Sequence, residues 1–205
     1  MEDPYDCMPS PAEIKYHYGG VTEDPRENMR QGVVHHETLR KLVLVNCWHM
    51  NPTESAAMWK LYAPGKQGVA IDSTFGRLRD SFSAAKENVH IGEVKYADFS
   101  DQSSRLGNAF LHFLRKRRSF EHERELRALV YGTDVLDAET GLAITVDLAT
   151  LIQTVFVAPV ADAWFLKVVK SVAGKYEIDE SKVSQSDLYQ LTYPSEDAAK
   201  DLPTA

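Results

Sequence analysis

Residues 123–131 read ERELRALVY, and the alternation in that stretch constrains the fold more than any other feature of the chain. Period two puts Leu126, Ala128 and Val130 on one face of a strand. Glu123, Glu125, Arg127, Leu129 and Tyr131 fall on the other. Such a strand needs neighbours to pair with and a core under its apolar face, so the chain must build a sheet.

Other segments supply that sheet. Residues 42–48 (LVLVNCW) are a continuous apolar run of strand length, the pattern of a central, doubly covered strand. Residues 68–72, 91–96, 142–146 and 154–157 also read as strands, with two short pieces near Val183 and at 188–191. A helix is expected to open at Asn51, with Pro52 at its first position and Glu54 closing a capping box, and to end near Tyr62. Further helices are expected at 75–85, at 106–118 and at 162–175, the last closing at Gly174. The 106–118 helix carries Phe110, Leu111 and Leu114 on one face and Arg115, Arg117 and Arg118 at its end. Residues 1–39 read as an irregular segment packed on the domain, with one short helix at most, and 193–205 as a polar tail. The expected architecture is one α+β domain over 40–192, with short helices flanking a twisted mixed sheet. That sheet should hold 42–48, 68–72, 91–96 and 125–131, and bury Val43, Val45, Val69, Ile71, Leu126, Ala128, Phe156 and Val157.

Composition narrows the class. With 30 acidic and 23 basic residues the chain carries a net charge of −7, which argues against a non-specific nucleic-acid coat. Cys7 and Cys47 cannot make a disulfide framework or a zinc knuckle, so no metal site is expected. No run approaches the roughly 18 apolar residues of a membrane helix, and the acidic start is unlike a signal peptide. A cytoplasmic protein without a membrane partner is expected.

No Walker loop, GxGxxG, HExxH, GxSxG or kinase set is present. Three neighbourhoods could still carry chemistry. In the first, Trp48, His49 and Asn51 sit at a strand end and Trp59 and Tyr62 on the helix after it. Both aromatic rings could stack on a flat base, or simply fill the core. In the second, Ser73 ends the 68–72 strand, where its hydroxyl could meet a ribose or cap the next helix. In the third, Glu123, Glu125 and Arg127 lie beside Lys116 and Arg118. They could form a charge cluster around a nucleotide, or a solvated strand face with cross-strand pairs.

Four stretches taken together resemble one family. They are CWHMNPTESAAMWKLY (47–62), GVAIDST (68–74), IGEVKYAD (91–98) and KRRSFEHERELRALV (116–130). They are similar to the bacterial and phage family catalogued as domain of unknown function 2971. The shared positions are Met58, Trp59 and Tyr62, then Gly68 and Ile71, then Lys116, Phe120, Glu123, Glu125 and Arg127. A weaker likeness, at the level of fold, extends to DNA-targeting ADP-ribosyltransferase toxins. Both groups look at home in phage–bacterium conflict.

The reading that follows is an enzyme that breaks an N-glycosidic bond in a nucleotide or nucleic acid. Glu123 or Glu125 would be catalytic, stabilising a cationic sugar or activating the acceptor. Trp59 and Tyr62 would hold the base, with Trp48 and Ser73 nearby and His49 or Asn51 at its edge. Lys116, Arg118 and Arg127 would hold phosphate. In one version NAD is the substrate and ADP-ribose is transferred. In the other a flipped DNA base is excised by water, with no cofactor required. A non-catalytic nucleotide-binding module is the alternative of another class.

Overall fold

The computed structural model describes residues 6–99, 109–132 and 141–190. Helices and strands in mixed sheets make the chain α+β. The chain divides into two compact units interleaved in sequence, one of Met1–Pro52 with Phe82–Val146 and one of Thr53–Ser81 with Asp147–Ala205.

The first unit is built on β1 (Val43–His49), β3 (His90–Glu93) and β6 (Glu125–Tyr131), in the order β1-β6-β3 and antiparallel throughout. Its second, two-stranded sheet pairs β4 (Lys95–Ala97) in parallel with β5 (Arg115–Arg117). The second unit holds β2 (Val69–Asp72), β7 (Thr154–Val157) and β8 (Val183–Gln185), in the order β2-β7-β8. The expected single sheet is therefore wrong: 68–72 belongs with 154–157, and 91–96 breaks at Val94 into strands of two different sheets.

Edge position explains most of the misjudged core. β1 is an edge strand, not a central one. Val45 pairs with Leu129, yet Val45 is 42% exposed and Leu129 is 1% exposed. The second unit repeats the pattern, with Val155 and Val157 buried on central β7 while their partners Ile71 and Val69 are exposed on edge β2. Cover over a sheet face thins toward its edge, and hydrophobic periodicity cannot show which strand lies there. Ala128 and Val157 are buried as expected; Val43, Leu126 and Phe156 are half-buried.

The N-terminal segment is not irregular. It forms α1 (Pro11–Tyr18) and α2 (Pro25–Arg40). Ser10 and Glu13 make a reciprocal capping box with Pro11 in the first turn, and Asp24 caps α2 before Pro25. Buried Glu13 accepts from Arg115 of β5 at 2.5 Å and so ties α1 to the small sheet. Beside that pair His36 and His112 meet edge to face at 4.8 Å, and burial pushes His36 down to about 4.

Three helix boundaries also differ. α3 (Ala56–Tyr62) is capped by Ser55, whose hydroxyl accepts from Met58 N; Asn51 and Pro52 lie outside it. Of the expected 106–118 helix, 106–108 lie outside the described residues, Ala109–Leu114 is a 3-10 helix and Arg115–Arg117 is β5. Parallel pairing with β4 outweighs the helical pattern there, and it buries Arg115 and Lys116. Residues 142–146 form no strand, nor do 188–190; Leu191 and the tail lie outside the described residues. α4 (Phe75–Ser81), α5 (Leu148–Leu151) and α6 (Ala163–Lys175) complete the second unit.

Gly68 is the tightest point of that unit. A Cβ added there would lie 2.2 Å from the Cβ of Ala63, which has no rotamer to change. Gly68→Ala is expected to destabilise the protein by about 1–3 kcal/mol in urea unfolding.

Candidate functional site

The charged face of β6 is buried, so it is not a solvated strand face. Arg127 is 0% exposed and every nitrogen of its guanidinium is engaged. Its Nε donates to Glu125 Oε2 at 2.6 Å and its Nη2 to Asp6 Oδ2 at 2.8 Å. Nη1 donates to the Phe113 carbonyl at 2.8 Å and to Cys7 Sγ at 3.4 Å. Lys116 reaches the same face from β5, donating to Glu123 and, at 2.9 Å, to Glu125 Oε1. It also pairs with Asp6 at 3.6 Å. Three carboxylates thus share two buried cations, which leaves one excess negative charge if all are ionised.

That imbalance is resolved on Glu123. Burial raises its pKa, Lys116 opposes the rise, and a hydrogen bond with Glu125 adds to it. Burial also acts against ionised Glu125, but hydrogen bonds from Glu123, Arg127 and Lys116 outweigh it and hold Glu125 down to about 2. Glu123 is therefore the member of the pair that takes up a proton first as pH falls, and Glu125 the one that stays ionised longest. Glu123 is also the more accessible of the two, with its side chain 12% exposed against 8% for Glu125.

Local backbone geometry places Glu123. It is the last residue of a 3-10 turn (Arg118–Glu123), and Arg124 follows in the left-handed region at φ 42°. Glu123 is thus not on the strand face with Glu125, as alternation implied; it reaches Lys116 from the turn. The main chain around it is fixed from β1. Met50 N donates to the Arg124 carbonyl at 2.8 Å, and His49 Nδ1 lies 2.6 Å from the Glu123 carbonyl. A carbonyl only accepts, so Nδ1 carries a hydrogen, and Nε2 is buried without a hydrogen-bond partner among the described residues. Tyr96 OH accepts from Glu125 N at 2.8 Å.

Of the residues singled out from sequence, the first unit brings together Glu123, Glu125, Lys116, Arg127 and His49. Trp48 is opposite Leu126 in register, on the other face of the sheet, with Nε1 donating to Asn46 at 2.5 Å. Asn51 and Arg118 are exposed. Trp59, Tyr62 and Ser73 belong to the second unit. There Ser73 donates to the Leu151 carbonyl at 2.6 Å, a structural role, and Tyr62 is exposed. Trp59 Nε1 donates to Glu54 at 2.8 Å, and its ring lines a groove. Neither unit alone holds both the carboxylate pair and the aromatic residues. Asp6 and Tyr96 escaped sequence reasoning: Asp6 lies in a segment read as irregular, and Tyr96 follows the break at Val94.

No family model matches the chain, and it matches no curated protein and no solved structure. No helix among the described residues is long and apolar enough to cross a membrane. Among those residues no group of three or more His, Cys, Asp or Glu could hold a metal ion.

Two outcomes test the network. Arg127→Met leaves Asp6 and Glu125 as buried charges without their guanidinium, so a loss of about 3–5 kcal/mol is expected by urea unfolding. A solvated strand face would lose no more than about 0.5 kcal/mol. The depressed Glu125 contributes stability that is present above its ordinary value of 4.5 and is lost as pH falls from there toward about 2. Unfolding measured from pH 5 to pH 3 should therefore fall more steeply for the wild type than for Glu125→Gln.

Proposed function

We propose that the protein cleaves an N-glycosidic bond in a nucleotide or nucleic acid, with the carboxylate pair of the first unit as its reacting centre. The observation that carries this reading is the split pair: Lys116 joins two carboxyls, Glu123, whose pKa burial raises, and Glu125, which is held down to about 2. Glycoside cleavage needs these two roles, an acid for the leaving group and a negative charge beside a developing oxocarbenium ion.

In this mechanism the C1′–N bond breaks, and its electron pair leaves with the base, which takes the proton of Glu123. Glu125, fixed by Arg127 and Lys116, stabilises the sugar cation. Water then adds to C1′ and returns a proton to Glu123. Lys116 and Arg127 are buried and engaged by the carboxylates, so they orient Glu125 and are not the phosphate holders that the sequence suggested.

A carboxyl raised toward proton donation favours base excision over ADP-ribosyl transfer, because nicotinamide leaves its pyridinium as a neutral ring and needs no acid. Transfer of ADP-ribose from NAD is the second version, in which ionised Glu125 alone stabilises the sugar.

The full chain incubated with NAD, with unmodified DNA and with modified phage DNA decides between them. Release of free base with abasic sites is the expected result, and nicotinamide release would select the second version. Glu123→Gln should lower the rate by about 10²–10³ with substrate binding little changed. Full activity in Glu123→Gln, or no product from any substrate, would overturn the reading and leave a non-catalytic nucleotide-binding module.

A further inference from the structure

The second unit contains a groove of about 550 Å³ that the carboxylate chemistry does not use. Its position follows from topology. β7 and β8 run parallel, with α6 between them in sequence, so their carboxyl ends lie at one edge of the sheet. Ala158, Pro159 and Val160 leave β7 at that edge, and Tyr189 follows β8. Gly68 accepts from Ala158 N at 2.9 Å, which places the start of antiparallel β2 there too. The crevice outside the carboxyl ends of parallel strands is where ligands sit in α/β sheets.

The walls are flat and apolar, and the charge on them has one sign. Trp59, Tyr189, Pro64 and Pro159 line it, and among the described residues Lys60 and Lys66 are the charged ones in the lining. Among the described residues neither lysine has a hydrogen-bond or ion-pair partner, and both are exposed. Trp59 is held in place, with Nε1 on Glu54 and its ring edge 3.4 Å from the position a Cβ on Gly68 would take. Lys66 adopts a left-handed φ of 64°, unusual for a lysine. The volume suits a small organic ligand and exceeds what an inorganic anion fills.

We infer that this groove binds a nucleoside phosphate, with the base against Trp59 and Tyr189 and the phosphates on Lys60 and Lys66. Aromatic faces accept any nucleobase, so the ring contact gives affinity with little base selectivity. Two ammonium groups with no counter-charge among the described residues of the lining select for the anion. The site lies wholly in the second unit and does not depend on glycosidic cleavage in the first.

The test is titration of the full chain with ADP, followed by calorimetry and tryptophan fluorescence, with adenosine and pyrophosphate as the separate halves. Saturable binding with fluorescence quenching is expected for ADP, and weaker binding for either half. Lys66→Ala and Lys60→Ala should each weaken ADP by about tenfold, and Tyr189→Ala by a similar factor. All three residues are exposed, so these variants should fold, and unchanged thermal melts without ligand would confirm it. No saturable ADP binding by the wild type would overturn the inference. So would binding that is unchanged in Lys60→Ala/Lys66→Ala, or pyrophosphate or adenosine binding as tight as ADP.

Discussion

The guanidinium of Arg127 is the contact on which the first unit depends. It sits at 0% exposure on the middle strand of the sheet, where an unpaired charge would cost several kcal/mol. It is tolerated because four groups converge on it: Glu125 from its own strand, Asp6 and Cys7 from the N-terminal segment, and the Phe113 carbonyl. One buried side chain thus fixes the position of the N-terminal segment, the end of a 3-10 helix and a carboxylate. Leu129, two residues along on the same face, packs with Cys7 and Phe113 and gives the ion cluster an apolar floor. That floor also raises the cost of leaving any member of the cluster unpaired.

The chemistry follows from an arithmetic of charge in a confined space. Two buried cations cannot neutralise three carboxylates. Arg127 and Lys116 both contact Glu125, whereas Glu123 has Lys116 alone among the two cations. The carboxyl with one cation is raised and the one with two is held down to about 2. Burial beside the cluster also keeps the Cys7 thiol out of nucleophilic use, raising it to about 12. Carboxyl chemistry is what this face retains.

Much of this was legible in the sequence, and the gaps have physical causes. Alternation in 123–131 located β6 and grouped Glu125 with Arg127, and the likeness of residues 116–130 drew in Lys116. The helices of residues 11–40 carry capping signals at Ser10, Glu13, Asp24 and Pro25, but Pro, Gly and acidic residues around them masked the short periodic runs. Local pattern placed 106–118 in a helix, whereas pairing of 115–117 with 95–97 is non-local and outweighs propensity. Edge strands carry the same β-branched residues as central ones, so Val45, Val69 and Ile71 read as core. Nothing in the sequence shows that Asp6 crosses to Arg127, 121 positions away. The assignment of Trp59 to one unit and Glu123 to the other was equally hidden, because the units interleave along the chain.

The split carboxylate pair is the central claim, and site-resolved titration of the two side-chain carboxyls by carbon-13 NMR tests it most directly. The account predicts that Glu123 titrates above the ordinary glutamate value and Glu125 near 2, and that Lys116→Met brings the two transitions out of their present positions. Two independent transitions near the ordinary value of 4.5, unaltered in Lys116→Met, would contradict it.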